Sequence, residues 1–265
     1  MDALGDFLRT RRARLTPAQV GLVEYGRRRV PGLRREEVAE LAGVSTDYYV
    51  RLEQGRGAHV SDSVLDAVGR ALRLDATERA YLRALVRPKR AANERRPAVR
   101  QSVHLLLEGI EHAPAILVDF RMRVLAANGL AKAVFGIDDD PATHDRARAF
   151  FLDPRSRALF ADWAGDAETV TASLRLEAAR HPGDPWMTAL IAELRESSAE
   201  FRRLWAGHRV REKDFGTKRL NHPVFGSLVF TYERLAVAGD DERTLIVYQP
   251  EPGTRTAERL LSAVG

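Results

Sequence analysis

The chain has 265 residues, of which 45% are apolar and 30% charged, and its net charge is +5. That balance excludes disorder as the main state, no apolar run approaches the ~20 residues that span a bilayer, and the first residues lack the basic-then-apolar pattern of a secretory leader. With no cysteine, disulfide frameworks, thiolate nucleophiles and Cys-ligated metal sites are excluded, and the expected compartment is the cytoplasm.

The total charge hides a split. Residues 1–100 hold 21 Lys/Arg against 13 Asp/Glu, whereas residues 101–265 hold 21 against 24. A basic front half joined to a near-neutral rear half suits a nucleic-acid-binding domain followed by a domain with another task, because neutralising phosphates needs cations gathered on one surface.

In chain order, Leu4, Phe7, Leu8 and Leu15, with Arg9, Arg11, Arg12 and Arg14 between them, predict an amphipathic helix. A long connection follows over 16–33. Residues 34–41 (RREEVAEL) predict a helix that buries Val38 and Ala39 and stops at Gly43, since glycine can take the left-handed conformation of a tight turn. Ser45 reads as the N-cap of a helix over 46–54, ended by Gly55. Two more helices are expected over 62–72 and 77–86, with Leu65, Val68, Leu72, Leu82 and Leu85 as core candidates. The polar stretch that follows, broken by two prolines, reads as a linker. The expected organisation is therefore a DNA-binding domain over 1–88, a linker over 89–100 and a second domain over 101–265.

Beyond the linker the pattern changes. Residues 115–120 (AILVDF) and 122–127 (MRVLAA) predict paired strands, with a helix over 128–135. Helical periodicity resumes over about 155–206, and strand-like stretches follow at 210–215, 227–235 and 244–249. The second half is expected to be α+β, behind an all-α front half of five helices.

The most informative segment is 36–55 (EEVAELAGVSTDYYVRLEQG). Small Ala39 lets a second helix approach, Gly43 makes the turn, and Val44, Tyr49 and Leu52 form a buried wedge. Thr46, Asp47, Tyr48, Val50 and Arg51 are then left facing outward at the front of the second helix, where a helix-turn-helix meets base edges. Arg51 suits a bidentate contact with guanine, and Thr46 or Tyr48 a thymine methyl or a phosphate. Ser45 and Arg35 are placed as backbone-positioning residues, and Glu53 as the partner of Arg12 in a salt bridge. Upstream, Arg27, Arg28 and Arg29 are candidates for phosphate anchoring or insertion into a narrow minor groove.

Residues 34–55 resemble the phage-repressor (XRE) type of helix-turn-helix, and GRRRVPGLRREEVAELAGVSTDYYVRLEQGR (26–56) resembles the MmyB-like transcription regulators of actinomycetes. The resemblance continues through 64–82, 150–163 and 200–235, so it covers nearly the whole chain in order. It implies a PAS-like second domain that holds a fatty acid or similar amphipathic small molecule in an apolar tunnel. A carboxylate in such a tunnel needs a cation or hydrogen-bond donors. The candidates are Asn128, Arg202 beside Trp205, His208, Lys218 and Tyr232, with Lys218 notable because the chain has only four lysines against 38 arginines.

An enzyme is not expected. The nucleophile-elbow, phosphate-loop, dinucleotide-binding and zinc-protease motifs are all missing, and the seven histidines have no ligand spacing. Asp138-Asp139-Asp140-Pro141 lacks the glycine and distant glutamate of a calcium loop and reads as a solvated turn. The expectation is a sequence-specific regulator that binds double-stranded DNA as a homodimer and senses a small apolar acid, with no required cofactor, no metal and no membrane. The alternative is a constitutive DNA binder whose second domain only dimerises or meets another protein.

Overall fold

The computed structural model describes residues 3–23, 32–56, 60–87, 98–138, 140, 144–210 and 214–262. The chain divides into two compact units: Met1–Ala91 with Ala178–Asp184 and Trp205–Arg211, and Ala92–Glu177 with Pro185–Leu204 and Glu212–Gly265.

The first unit contains α1 (Ala3–Arg14), α2 (Arg35–Ala42), α3 (Thr46–Glu53), α4 (Asp62–Ala71) and α5 (Ala76–Val86). Each start after α2 has a side-chain cap. Ser45, Ser61 and Asp75 accept hydrogen bonds from the backbone N–H groups of Tyr48, Val64 and Glu78, which would otherwise be orphaned in the first turn. Between α2 and α3, Gly43 sits at φ +65° and its N–H closes on the Ala39 and Glu40 carbonyls, which makes the sharp turn. Leu4, Phe7, Leu8, Val38, Tyr49, Leu52, Leu65, Val68, Leu72 and Leu82 are buried, and Phe7 meets Tyr81 edge to face at 5.0 Å. Leu15 and Leu85 are only half-buried, because each lies at the fraying end of its helix.

The second unit is α+β. After α6 (Gln101–Glu108) come β1 (Ala115–Asp119), β2 (Val124–Ala127), α7 (Gly129–Phe135), α8 (Arg146–Leu152), α9 (Pro154–Leu159), α10 (Trp163–Arg180), α11 (Pro185–Ser197) and α12 (Ala199–Ala206), the last residues of α10 and α12 being counted with the first unit. The chain then adds β3 (Phe215–His222), β4 (Gly226–Val237), β5 (Asp240–Pro250) and α13 (Arg255–Leu261). All neighbours in the five-stranded sheet are antiparallel, in the order β2-β1-β5-β4-β3.

Alternation sends residues to two different cores. Ile116, Val118, Phe230, Tyr232, Ile246 and Tyr248 join one cluster, with Leu130, Val134 and Leu260 from α7 and α13. Ala115, Leu117 and Leu245 join the other, with Val103 and Leu107 of α6. All five residues of β1 are buried, and the first four read as an apolar run, whereas β4 alternates over much of its length because alternate residues there are open to solvent. In the β1–β2 connection the buried Asp119 carboxylate accepts from the backbone N–H groups of Arg121 and Arg123 and pairs with the Arg123 guanidinium at 2.8 Å.

Two sequence expectations shift. Of the strand expected over 210–215, residues 211–213 lie outside the described residues, and the strand found runs over Phe215–His222, where Leu220 is the single fully buried position. Strand β3 is a sheet edge, where charged side chains prevent pairing with another chain, so its polar composition masked it. Helix α13 was unforeseen, although Thr254 caps it by accepting from the Ala257 N–H.

Asn128, expected at the ligand, is corrected to a structural role. Its Oδ1 accepts from the backbone N–H groups of Ala115 (3.0 Å) and Ala131 (2.9 Å), and its Nδ2 donates to the Ile110 and Ala113 carbonyls (both 2.8 Å). It is buried, and with four bonds made it has nothing left for a ligand. Asn128→Ala is expected to lower the unfolding free energy by at least about 2 kcal/mol, since it leaves several buried backbone groups unsatisfied. Urea denaturation followed by circular dichroism measures the loss.

Candidate functional site

Helices α2 and α3 cross over the Gly43 turn with their apolar sides inward. Tyr49, Leu52 and Glu53 of α3 are buried, while Thr46, Asp47, Tyr48 and Arg51 are exposed and Val50 is half-buried. This division follows from the 3.6-residue period. Ser45 is committed as the α3 cap through the Tyr48 N–H, and its hydroxyl proton stays available to a phosphate.

The buried end of α3 is fixed by charge. The Glu53 carboxylate is 0% exposed. Arg12 of α1 donates Nε to Oε2 and Nη2 to Oε1, both at 3.1 Å, and Arg35 of α2 donates Nε and Nη2 to Oε1 at 3.1 and 3.0 Å. Arg12 also donates Nη1 to the Leu33 carbonyl at 2.7 Å. The expected Arg12–Glu53 bridge is present, and Arg35 shares it. The Glu53 hydrogen bond raises the Arg35 pKa, and burial, with the Glu53 charge second, raises that of the Tyr49 phenol. Arg35 keeps 48% of its side chain exposed, so one edge of the guanidinium still faces solvent. Arg27, Arg28 and Arg29 lie outside the described residues.

The second unit holds a cavity of about 900 Å³ between the sheet and helices α7 to α10, near the upper end of the ~300–1,000 Å³ range of small-molecule sites. Its apolar lining includes Ile116, Val134, Phe135, Phe150, Phe160 and Ile246. Phe150 stacks on Trp163 at 5.4 Å and meets Phe160 edge-on at 5.0 Å, which stiffens one wall. A polar row crosses the sheet floor: Tyr248 of β5 stands opposite Tyr232 of β4, and Lys218 of β3 lies over the Tyr232 ring at 5.8 Å.

Most charges on the walls are already matched. Lys218 pairs with Asp166 of α10 and also lies 5.4 Å over Phe160. Arg148 holds Asp145 at 2.7 Å and Glu193 at 2.6 Å, and Arg155 holds Asp153 at 2.8 Å. The Arg148 hydrogen bond lowers the Glu193 pKa, while burial raises that of Asp145 against its backbone and Arg148 bonds. Arg146 instead donates Nη2 to the Tyr248 hydroxyl at 3.1 Å. Burial, and then the Arg146 charge, hold His144 below its ordinary value of 6.5. Burial also lowers His222, whose Nδ1 accepts from the Val224 and Phe225 N–H groups, so that its proton sits on Nε2, 3.2 Å from the Ala133 carbonyl.

Of the six residues expected at the ligand, the cavity brings together Lys218 and Tyr232. Arg202 is exposed and donates to the Arg195 and Glu196 carbonyls, which caps the end of α11. Trp205 and His208 fall in the first unit, where the His208 carbonyl accepts from Arg11 at 3.1 Å. Sequence reasoning missed Arg146 and Tyr248. A usable signal was present: Asp145 caps α8, which points the first helical residues at whatever lies before the helix, and Tyr248 follows Ile246 at strand spacing.

Among the described residues no helix is long and apolar enough to cross a membrane, and no group of three or more His, Cys, Asp or Glu could hold a metal ion. Comparison with known families finds a helix-turn-helix domain model matching residues 3–82 and an MmyB-like transcription regulator ligand binding domain model matching residues 99–263. No curated protein matches the chain.

Glu53→Ala is expected to destabilise the first unit by about 3 kcal/mol, because it leaves the largely buried Arg12 guanidinium without its carboxylate and takes the partner of the half-exposed Arg35; thermal unfolding reads this. A second expectation concerns acid. The folded-state pKa of His144 and of His222 lies below 6.5, so the unfolded chain binds more protons as pH falls through that value and stability drops with it. The midpoint of urea unfolding should decline as pH falls below about 6.5, and His222→Asn should flatten the decline.

Proposed function

The chain belongs to the MmyB-like transcription regulators, and we propose that it is a sequence-specific, ligand-responsive member: the helix-turn-helix reads an operator, and the second domain senses a small amphipathic molecule of the fatty-acid kind. It is a transcription regulator built from a DNA-binding helix-turn-helix domain and a ligand-binding domain, and both matched families are regulator domains rather than enzymes. The observation that carries the finer reading is the cavity, an apolar hollow of about 900 Å³ with a polar row on its floor. A ligand with one apolar body and one polar end suits that division, since each polar wall group needs a partner once water leaves.

In this reading α3 enters the major groove with Thr46, Asp47, Tyr48 and Arg51 toward base edges, while Arg35 and Ser45 hold phosphates and Arg27, Arg28 and Arg29 add cationic contact. Lys218 and Tyr232 contribute to the ligand site. The protein acts as a cytoplasmic homodimer on two half-sites about one helical turn apart. Ligand binding changes operator affinity by about 5- to 150-fold, the usual size of coupling between sites.

Native mass spectrometry of the purified chain, with operator titrations in the presence and absence of the recovered molecule, tests the sensor. A co-purified amphiphile that shifts operator affinity supports it. An empty cavity, no thermal shift across fatty acids and unaltered DNA binding would leave a constitutive regulator whose second domain dimerises or meets another protein. For the reading helix, Arg51→Ala should cost roughly 1–3 kcal/mol of operator affinity and relax preference at one base pair. Fluorescence anisotropy with a set of single-base operator variants measures both effects, and unchanged affinity and preference would remove Arg51 from the base-reading face.

A further inference from the structure

Resting on the ligand-binding reading of the cavity, we propose that Arg146 and Tyr248 form its head-group subsite, which clamps an anionic oxygen group and selects acids over neutral amphiphiles of the same length. The cations around the cavity are not equivalent. Lys218 is neutralised by Asp166, Arg148 by Asp145 and Glu193, and Arg155 by Asp153. Among the described residues no carboxylate pairs with Arg146, whose hydrogen bond goes to the neutral Tyr248 hydroxyl at 3.1 Å. An unmatched guanidinium beside an apolar cavity keeps its full attraction for an incoming anion, whereas a cation already paired must first give up its partner.

The Tyr248 hydroxyl turns that charge into a shaped site. Its ring is 3% exposed and packs against Phe135 at 4.8 Å and Tyr232 at 5.8 Å, so it is held in place. Because the phenolic oxygen accepts from Arg146, its own proton is left to donate. The remaining guanidinium N–H groups and this O–H give adjacent donors, the arrangement that a carboxylate or phosphate oxygen pair accepts. Arg234 also lines the cavity, two residues from Tyr232 on the same face of β4, and no described carboxylate pairs with it. It adds positive potential without a second donor oriented beside it. The apolar body of the ligand then lies along Phe135, Val134, Phe150 and Ile246.

The test compares binding of dodecanoate, dodecyl phosphate and dodecan-1-ol to the full chain by calorimetry, each below its micelle concentration. The two acids separate a carboxylate head from a phosphate head. At least one acid should bind the wild-type chain on the order of 10- to 100-fold more tightly than the alcohol, as expected for charge-assisted hydrogen bonds. Arg146→Gln and Tyr248→Phe should each bring that ratio close to one while leaving alcohol binding intact, which also shows that the variants fold. Arg155→Gln, which removes a cation already paired with Asp153 and 92% exposed, should keep the ratio. Acid preference that survives in Arg146→Gln or in Tyr248→Phe, or that disappears in Arg155→Gln, would overturn the assignment, as would a wild-type ratio near one. Should the wild type bind none of the three probes, the ligand-binding reading itself fails, a result distinct from equal binding of acid and alcohol.

Discussion

A carboxylate sealed from water is the constraint on which the DNA-reading unit rests. Glu53 is 0% exposed, and an unpaired charge in that position would cost several kcal/mol. The two guanidiniums that match it come from α1 and α2, so the last turn of α3 must meet both helices at once. Once that end is anchored and Tyr49 and Leu52 are buried beside it, the helical period leaves the front of α3 little freedom over what it shows to solvent. Gly32 belongs to the same constraint. It lies at φ +78°, and a Cβ there would sit 2.4 Å from the Arg12 carbonyl oxygen, the oxygen that receives the Leu33 N–H. Main chain and side chain of Arg12 therefore both bind the strand of chain leading into α2, and only glycine permits the approach.

In the second unit the organising element is a sheet whose two faces do different work. One face packs under α6 as a dry layer. The other is shared between core and cavity, and its polar groups are sorted by partner: Asn128 saturated by backbone, Lys218 by Asp166, Arg148 by two carboxylates. What remains at the cavity wall among the described residues is the Arg146 guanidinium, whose hydrogen bond goes to a neutral hydroxyl.

Much of the first unit was legible in the sequence because its signals are local. A glycine at the turn, Ser45 as a cap and the spacing of Val38, Tyr49 and Leu52 each act within a few residues, and even the long-range Arg12–Glu53 pair follows from the helix faces. The cavity was less legible. Lys218 and Tyr232 were found, but Asn128 looked like a polar group at a helix start and proved to be the hydrogen-bond hub of that start. Arg202 and His208 looked like available cations near aromatics and are engaged elsewhere. Arg146 escaped notice among 38 arginines, since what distinguishes it is that no described carboxylate pairs with it, and only three-dimensional pairing reveals that. Strand β3 was misplaced for a related reason: edge strands are selected to be polar, which erases the alternation that identifies a strand.

Strand β5 lies between β1 and β4, so Tyr248 sits in the middle of the sheet, with Tyr232 across from it and its own N–H given to the Pro114 carbonyl at 2.8 Å. The floor beneath an occupant is thus cross-braced on both sides and cannot yield without breaking two ladders. The opposite wall, from α7 to α10, is backed by α11 through side-chain links such as Arg148 of α8 to Glu193. Any rearrangement that widens or narrows the cavity therefore falls on the helices, with the strands as the fixed platform beneath them.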